Sequence, residues 1–223
     1  YHCELTLWRD ILNPDKIEQF YRCYSVDRPL SYTYTSFDLR GPYPVNKGSK
    51  IFSQRIRYGK RPGTLYLFFV EEDAAIGFYN TNALYLRNLG ITQAQAEFGA
   101  QRQPEEPYKL SFDPTLADGR LDCVDAYVTF RQSLGTFNNN KTTLLDLEHF
   151  VDGYTILCFK FTPKFYNSEY RMPQVEANTD LSVTLNFAAG MTKAINMYAM
   201  IIEDKTLIVR PNGTAEVTAP SDT

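Results

Sequence analysis

The stretch LSVTLNF at residues 181–187 indicates the fold class, because apolar and polar side chains alternate along it without a break. Its apolar members are Leu181, Val183, Leu185 and Phe187, and its polar members are Ser182, Thr184 and Asn186. Successive side chains of a β-strand point to opposite faces. This period of two therefore predicts a strand with one face in a core.

Continuous apolar runs on either side of this stretch predict further strands. LYLFFV at 65–70 follows Arg61-Pro-Gly63 and precedes Glu71-Glu-Asp73, which is typical of a core strand. YTILCFKFT at 154–162 follows the turn residues Asp152-Gly153 and stops at Pro163, which cannot donate to a strand ladder.

The end of the chain extends the series. AINMYAMII at 194–202 and TLIVR at 206–210 are read as two strands joined by a tight turn at Asp204-Lys205. A succession of strands without long helices between them predicts an all-β fold, either an antiparallel β-sandwich or a barrel.

Two segments predict short helices inserted between strands. In DCVDAYVTFRQSLG at 122–135, a helical stripe of apolar side chains ends at Gly135, a typical C-terminal stop. The stripe comprises Cys123, Tyr127, Phe130 and Leu134. The segment Thr143 to Phe150 is a second candidate, with Thr143 as its cap.

The composition excludes some classes of protein. Hydrophobic residues make up 43% of the 223 residues and charged residues 22%, so a sizeable core can form and global disorder is not expected. The net charge of −3 argues against polyanion binding across a whole face. The basic stretch RIRYGKR at 55–61 carries no RNA-binding motif, and a solvated turn is preferred over a nucleic-acid contact.

The cysteines and histidines predict no metal site. Cys3, Cys23, Cys123 and Cys158 lie far apart, and two histidines do not complete a zinc-binding pattern. We expect reduced thiols, as in a protein assembled inside cells, with Cys158 as a small buried side chain.

No residues form a recognisable catalytic group. His149 and Asp152 flank the start of a predicted strand, but no nucleophile elbow accompanies them, and His149 is expected at a surface or helix end. The carboxylates Glu71-Glu-Asp73 and Glu105-Glu106 match no calcium loop, so solvated loops are preferred. The sequence therefore predicts no enzyme, no catalytic residue, no cofactor and no bound metal.

No apolar run approaches the length of about 18 residues that a membrane helix needs. The chain begins with Tyr1 rather than Met, so we expect a processed product, an excised domain or part of something longer.

The order of these segments resembles one protein family. The residues that carry the resemblance are PGTLYLFFVEEDAAIGFYNTNAL at 62–84, SFDP at 111–114, CVDAYVTFRQSLG at 123–135, FVDGYTILCFKFTP at 150–163 and LSVTLNFAAGMTKAINMYAMIIEDKTLIV at 181–209. Together they look like the C-terminal region of the hexon-like major capsid proteins of Maverick/Polinton elements and of the related adintoviruses and adomaviruses. The match spans roughly residues 55–210. Asn82-Ala83-Leu84 replaces the family's usual Asn-Pro-Phe, and Lys160 and Lys164 replace acidic residues, which indicates a divergent relative.

The resemblance implies a viral jelly roll and a structural role. Members of this family carry two such rolls and assemble as trimers into pseudo-hexameric capsomers of an icosahedral shell. Because 223 residues are too few for both rolls, we expect one roll, the C-terminal one. The expected organisation is an N-terminal arm or connecting segment at 1–50, the jelly roll at 51–210 and a tail at 211–223.

The resemblance also implies partners and a location. The chain would associate with itself as a homotrimer and with neighbouring capsomers or minor capsid proteins, in a virion capsid assembled inside the host cell. Sequence-specific nucleic-acid binding and a membrane span are not expected. Aromatic side chains anchor desolvated interfaces, and the residues expected in these contacts are Tyr79, Tyr85, Phe165, Tyr166 and Tyr170.

Three other readings stay open at this stage. A carbohydrate- or receptor-binding β-sandwich module of a virion would need a groove in which exposed aromatic side chains lie among Asp and Asn side chains. Asn138-Asn-Asn140 and Asp118 could supply the polar side chains of such a groove. An enzyme on a sandwich scaffold would need titratable groups with shifted pKa values in one cleft. A capsid gene domesticated by a host would keep the same sequence pattern.

Overall fold

The computed structural model describes residues 30–59, 62–112, 122–134, 145–161, 179–190, 192–210 and 214–218. These residues form nine strands and three short helices. In chain order they are β1 (Leu30–Val45), β2 (Ile51–Gly59), β3 (Thr64–Glu71), α1 (Glu72–Ile76), β4 (Ile91–Phe98), β5 (Gln101–Lys109), α2 (Val124–Ser133), α3 (Leu147–Val151), β6 (Leu157–Lys160), β7 (Thr179–Phe187), β8 (Ile195–Val209) and β9 (Ala215–Thr218).

The strands form two sheets with a nested order. The first sheet has the order β1-β8-β3-β6, with β9 added on β8, and the second has the order β2-β7-β4-β5. Each early strand is therefore beside its late counterpart: β1 by β8, β2 by β7, β3 by β6 and β4 by β5. Alternate pairs belong to alternate sheets, which is the strand order of a jelly roll. The predicted antiparallel β-sandwich with short inserted helices is confirmed.

The chain divides into two compact units, Ser36–Glu203 and a smaller one made of Tyr1–Thr35 with Asp204–Thr223. In the smaller unit, Thr206–Val209 of β8 pairs antiparallel with β9. The Thr35 hydroxyl donates to Asp204 Oδ1 at 3.0 Å. Arg210 and Glu216 form an exposed ion pair across the hairpin.

The core of the larger unit confirms the alternation read from LSVTLNF. All four apolar side chains of that stretch are buried, and the polar ones between them are partly or fully exposed. The continuous apolar run at 65–70 is also confirmed as core strand β3, which pairs with β6 on one side and β8 on the other. Nearly all side chains of β3 are buried, because Leu65, Leu67 and Phe69 lie in the core and Tyr66 on the other face packs on Phe130 of α2.

The helix predicted at 122–135 is confirmed as α2. Phe130 is buried and packs edge-to-face on Tyr66 of β3, with ring centroids 6.4 Å apart. Cys123 is buried just before the helix, but Leu134 at the other end of the predicted stripe is exposed. The stripe therefore covers the sheet only over its first two turns, and Gly135 lies outside the described residues.

Several local predictions need correction. No turn occurs at Asp204-Lys205, because β8 continues through both residues to Val209. The helix predicted from Thr143 starts at Leu147 and is capped by Asp146, whose carboxylate accepts from the His149 N–H. The strand predicted over 154–162 is shorter, at Leu157–Lys160, and follows a turn at Asp152-Gly153.

The prediction for the basic stretch at 55–61 also needs correction, since Arg55 and Arg57 lie inside β2 rather than in a turn. Their charges are matched by carboxylates on β7 and β8. Arg55 pairs with Asp180 at 2.8 Å, and Arg57 pairs with Glu203. Lys60 and Arg61 lie outside the described residues.

Strands also occur in the segments predicted as arm and tail. β1 begins at Leu30, inside 1–50, and β9 lies inside 211–223. Most side chains of β1 are exposed on both of its faces, so β1 lacks the buried apolar face that marks the core strands. The division at residues 50 and 210 itself stays a prediction.

We expect alkaline unfolding to depend on Tyr66. Its hydroxyl donates to Ser133 Oγ at 2.8 Å, and burial raises its pKa from 10.0 to about 12. A raised pKa means that the folded state favours the neutral phenol. The stabilisation that this preference contributes is complete below pH 10 and is lost as the pH rises through about 12. Tyr66→Phe should flatten the decline of the unfolding free energy over that range by on the order of 2 kcal/mol. Urea titrations at several pH values measure it.

Tyr79→Phe is the matched control, because Tyr79 is fully exposed. It should leave the pH dependence of stability unchanged. Burial also raises the pKa of Tyr108 to about 12, so part of the decline of the unfolding free energy should remain in both variants. An identical decline in wild type and Tyr66→Phe would contradict the assignment.

Candidate subunit interface

Several connections of the larger unit meet at one end of its strands, here called the loop end. They are the β1–β2 turn, the β3–β4 connection, the α3–β6 turn and the β7–β8 connection. The Leu86 N–H donates to the Gly153 carbonyl at 2.6 Å. The Phe187 N–H donates to the Lys50 carbonyl at 2.9 Å, and a Cβ on Gly190 would lie 2.9 Å from the Gly48 carbonyl oxygen. The backbones of these connections are therefore tied together.

The β3–β4 connection places large apolar side chains in water. This apolar loop is residues 76–85, and its exposed members are Ile76, Phe78, Tyr79, Leu84 and Tyr85. Phe78 is 55% exposed, Leu84 74% and Tyr79 104%. Scattered single apolar residues are ordinary on protein surfaces, whereas a run of them in one loop makes this loop a candidate contact surface.

Local hydrogen bonds hold the backbone of the apolar loop. Gly77 ends α1 with φ +87°, and the Phe78 N–H donates to the Asp73 carbonyl. The Thr81 hydroxyl donates to the Phe78 carbonyl at 2.9 Å, and the Leu84 N–H donates to Asn82 Oδ1 at 2.9 Å. The loop conformation is therefore supported without burying its apolar side chains, which leaves them available for a partner.

Tyr85 differs from Tyr79 because its own chain holds it. Its hydroxyl donates to Asp152 Oδ1 at 2.6 Å, and this hydrogen bond raises the pKa of Tyr85. The Arg87 guanidinium lies over the ring, 5.3 Å from its centroid. The ring edge contacts Gly153 so closely that a Cβ there would collide with it. Tyr85 thus fixes the loop on the turn after α3.

Glu71 ties the same end together by charge. Its largely buried carboxylate pairs with Arg87 at 3.0 Å and with Lys193 at 2.7 Å, from the β3–β4 and β7–β8 connections respectively. These side chains border an open cavity of about 530 Å³ that Tyr85 and Asp152 also line. Two acidic and two basic groups leave the cavity without a dominant charge.

His149 and Asp152 do not form a pair. His149 Nδ1 lies 2.7 Å from Asp146 Oδ1, while Asp152 accepts from Tyr85. The backbone N–H of His149 also donates to Asp146, and these bonds hold the pKa of the Asp146 carboxyl below its usual range. The histidine thus lies on the exposed side of a short helix and bonds to its cap residue, as predicted for a surface or helix-end residue.

The carboxylates after β3 do not form the predicted loop. Glu72 and Asp73 lie in the first turn of α1, where acidic side chains favour the helix N-terminus, and Glu71 is paired as above. In the part of the chain that the structure describes, no three histidine, cysteine or acidic side chains are grouped to hold a metal ion.

Cys158 is buried, as predicted, and so is Cys123; both are free thiols. Burial raises the pKa of Cys158 to about 11 and also raises that of Cys123. Since the thiolate is the nucleophilic form, both side chains act as small core residues. Cys3 and Cys23 lie outside the described residues.

Of the predicted interface residues, Tyr79 and Tyr85 are on the apolar loop, whereas Phe165, Tyr166 and Tyr170 lie outside the described residues. So do Asn138-Asn-Asn140 and Asp118 of the alternative groove. The sequence reading missed Ile76, Phe78 and Leu84. Their placement in GFYNTNAL, among glycine and asparagine, was the available indication that they lie in a loop rather than a core.

No helix within the described ranges has both the length and the apolar character needed to cross a bilayer.

Comparison with known families and proteins found neither a matching family model nor a matching curated protein. Similar solved structures include a chain of the Sputnik virophage determined by cryo-EM, with 15% identity, a TM-score of 0.47 and coverage of 87% of this chain and 40% of that one. VP54 of PBCV-1, fitted into a cryo-EM reconstruction of Sputnik, has 13% identity, a TM-score of 0.48 and coverage of 95% and 55%.

The crystal structure of the mavirus major capsid protein has 14% identity, a TM-score of 0.40 and coverage of 88% of this chain and 41% of that chain. The present chain therefore spans between 40% and 55% of the length of these three structures.

Proposed function

We propose that the chain is a structural subunit of a viral or virus-like transposon capsid, which works by association rather than by turnover. The subunit would form homotrimers that act as pseudo-hexameric capsomers of an icosahedral shell. Neighbouring capsomers or minor capsid proteins would be its partners, in a virion assembled inside the host cell.

The apolar loop is the observation that carries this proposal. Its four most exposed apolar side chains, Ile76, Phe78, Tyr79 and Leu84, stand on a hydrogen-bonded backbone at the loop end. A rigid apolar surface loses little conformational freedom on binding, which favours permanent association. The jelly-roll strand order and the resemblance to hexon-like major capsid proteins support the same role, since this fold is common in viral shells.

The carbohydrate-binding alternative would use an aromatic ring with an open face beside polar groups. Tyr85 is the aromatic side chain in the cavity at the loop end, together with Asp152 and Asn88. Arg87 covers one face of its ring, and its edge contacts Gly153. This arrangement favours a structural use of Tyr85 over sugar stacking.

The mass of the native particle tests the proposal. Full-length protein should form trimers, or shells built from them, by light scattering and negative-stain electron microscopy. A protein that stays monomeric at all concentrations and gives a saturable glycan-binding signal would overturn the proposal in favour of the binding module.

We expect the double substitution Phe78→Ser with Tyr79→Ser to weaken assembly. Both side chains are largely in water, so the fold should keep its stability within about 0.5 kcal/mol. Removing two aromatic anchors from a desolvated contact should raise the dissociation constant of the assembly at least about tenfold. Analytical ultracentrifugation over a concentration series measures this constant.

Val217→Ser is the matched control, because Val217 is 54% exposed but lies on β9 in the smaller unit. It should leave the constant unchanged. Equal effects of the two substitutions would show that lost surface hydrophobicity, and not the apolar loop, controls assembly.

A further inference from the structure

The groove between β5 and α2 combines acidic and apolar groups. It has a volume of about 950 Å³, and its lining includes Glu106, Pro107, Asp122, Val124 and Asp125. Three carboxylates there face one cation, Lys109. Val124 is 47% exposed although it opens the helix beside the sheet. We call this surface the acidic groove.

The conformation of β5 disfavours the addition of another strand at this edge of the sheet. Between the paired positions Ala94–Tyr108 and Ala96–Gln103, four residues of β5 stand opposite one residue of β4. The Gln95 side chain satisfies this bulge by donating to the Pro104 and Glu105 carbonyls at 3.1 Å. Prolines and bulges prevent strand addition at a sheet edge, so a partner at this edge would have to bind through its side chains.

The opposite edge of the same sheet is basic. β2 and β5 are the two edge strands of the order β2-β7-β4-β5. Lys47 and Lys50 stand exposed before β2, and Ile51 at its start is 69% exposed. Within the described ranges neither lysine side chain forms an ion pair. We call these three residues the basic edge.

The strand register places the two surfaces at the same height along the strands. Ile51 is opposite Asn186, Asn186 is opposite Gln93, and Gln93 is opposite Lys109. The Asn186 amide donates to Gln93 Oε1 at 2.8 Å within this row. One row of paired residues therefore runs across the sheet from the basic edge to the acidic groove.

We propose that the basic edge of one copy docks in the acidic groove of the next copy. Lys47 and Lys50 would meet Glu106, Asp122 and Asp125, and Ile51 would pack near Val124. Two different surfaces at equal height give a head-to-tail contact, which closes into a ring when the rotation between copies permits. The inference rests on the proposed capsid function and names a second contact, besides the apolar loop, through which copies would join.

Charge reversal on each surface tests the contact. Lys47→Glu with Lys50→Glu, and separately Glu106→Lys with Asp125→Lys, should each weaken self-association of the full-length protein at least about 100-fold, because like charges then face each other. All four substitutions in one chain restore opposite charges and should return the dissociation constant to within about tenfold of wild type. Sedimentation at about 50 mM and 500 mM salt should also show weaker wild-type association at high salt.

Glu148→Lys with Glu216→Lys is the matched control, because it changes the net charge as much as the groove reversal but at exposed sites elsewhere. It should associate as wild type does, and thermal melts should show all variants folded. A wild-type protein that is monomeric overturns the capsid function itself. Wild-type oligomers that both reversals leave intact, or that the fourfold variant does not restore, overturn the docking contact and leave the function standing.

Discussion

Phe69→Ala is expected to lower the free energy of unfolding by about 3 to 5 kcal/mol. Phe69 is 1% exposed and lies on the inner face of β3, an interior strand of its sheet. Replacing the ring by a methyl group leaves a cavity that the surrounding strands cannot fill, because both sheets hold their backbones fixed. Urea denaturation at one protein concentration measures the loss.

Phe68→Ala provides the control, because Phe68 is the same residue type one position earlier. It faces away from the core, is partly exposed, and stacks on Tyr198 with ring centroids 5.6 Å apart. Its loss should cost only about 1 kcal/mol. Equal losses for the two substitutions would mean that the faces of β3 are assigned incorrectly.

Gly41→Ala is expected to destabilise the protein by about 2 to 3 kcal/mol. Gly41 lies in β1 with φ +119°, a conformation that only glycine adopts without strain. A Cβ there would lie 2.9 Å from the Met197 carbonyl oxygen, which is backbone of β8 and cannot move aside cheaply. The substitution thus combines backbone strain with a collision. The midpoint of urea unfolding should fall accordingly.

Gly48→Ala separates the two contributions. Gly48 also has a positive φ, of +86°, but a Cβ there would meet nothing within 4 Å. Only the backbone strain remains, so the cost should be about 1 kcal/mol. If Gly48→Ala destabilised the protein as much as Gly41→Ala, the close approach of β1 to β8 would have no energetic role.

The strands that the sequence predicted best have a local pattern. In β7 the alternation of Leu181, Val183 and Leu185 with polar residues indicates both that the segment is a strand and which of its faces is buried. β3 is marked by its continuous apolar run, and α2 by its helical stripe with Phe130 inward. Each pattern arises because one element meets the core with a fixed period, so neighbouring residues suffice to read it.

The predictions that needed correction depended on distant partners. Asp204 and Lys205 are typical turn residues, yet both lie within β8, which continues to Val209. The Asp204 carboxylate accepts a hydrogen bond from the Thr35 hydroxyl, far away in the sequence. Arg57 lies in a basic segment whose composition is typical of a solvated turn, but its side chain pairs with Glu203, far away in the sequence. Local propensity could not include these partners, and tertiary pairing overrides it.

The sequence by itself determined the β-rich class and the inserted helix, and it predicted an interface role for Tyr79. The tertiary structure decided which apolar residues remain in water, because none of the elements that the structure describes packs over Phe78 and Leu84. It also decided that the basic edge and the acidic groove share one row of paired residues. Register between strands far apart in the chain set that relation, and register is a property of the assembled sheet rather than of any single segment.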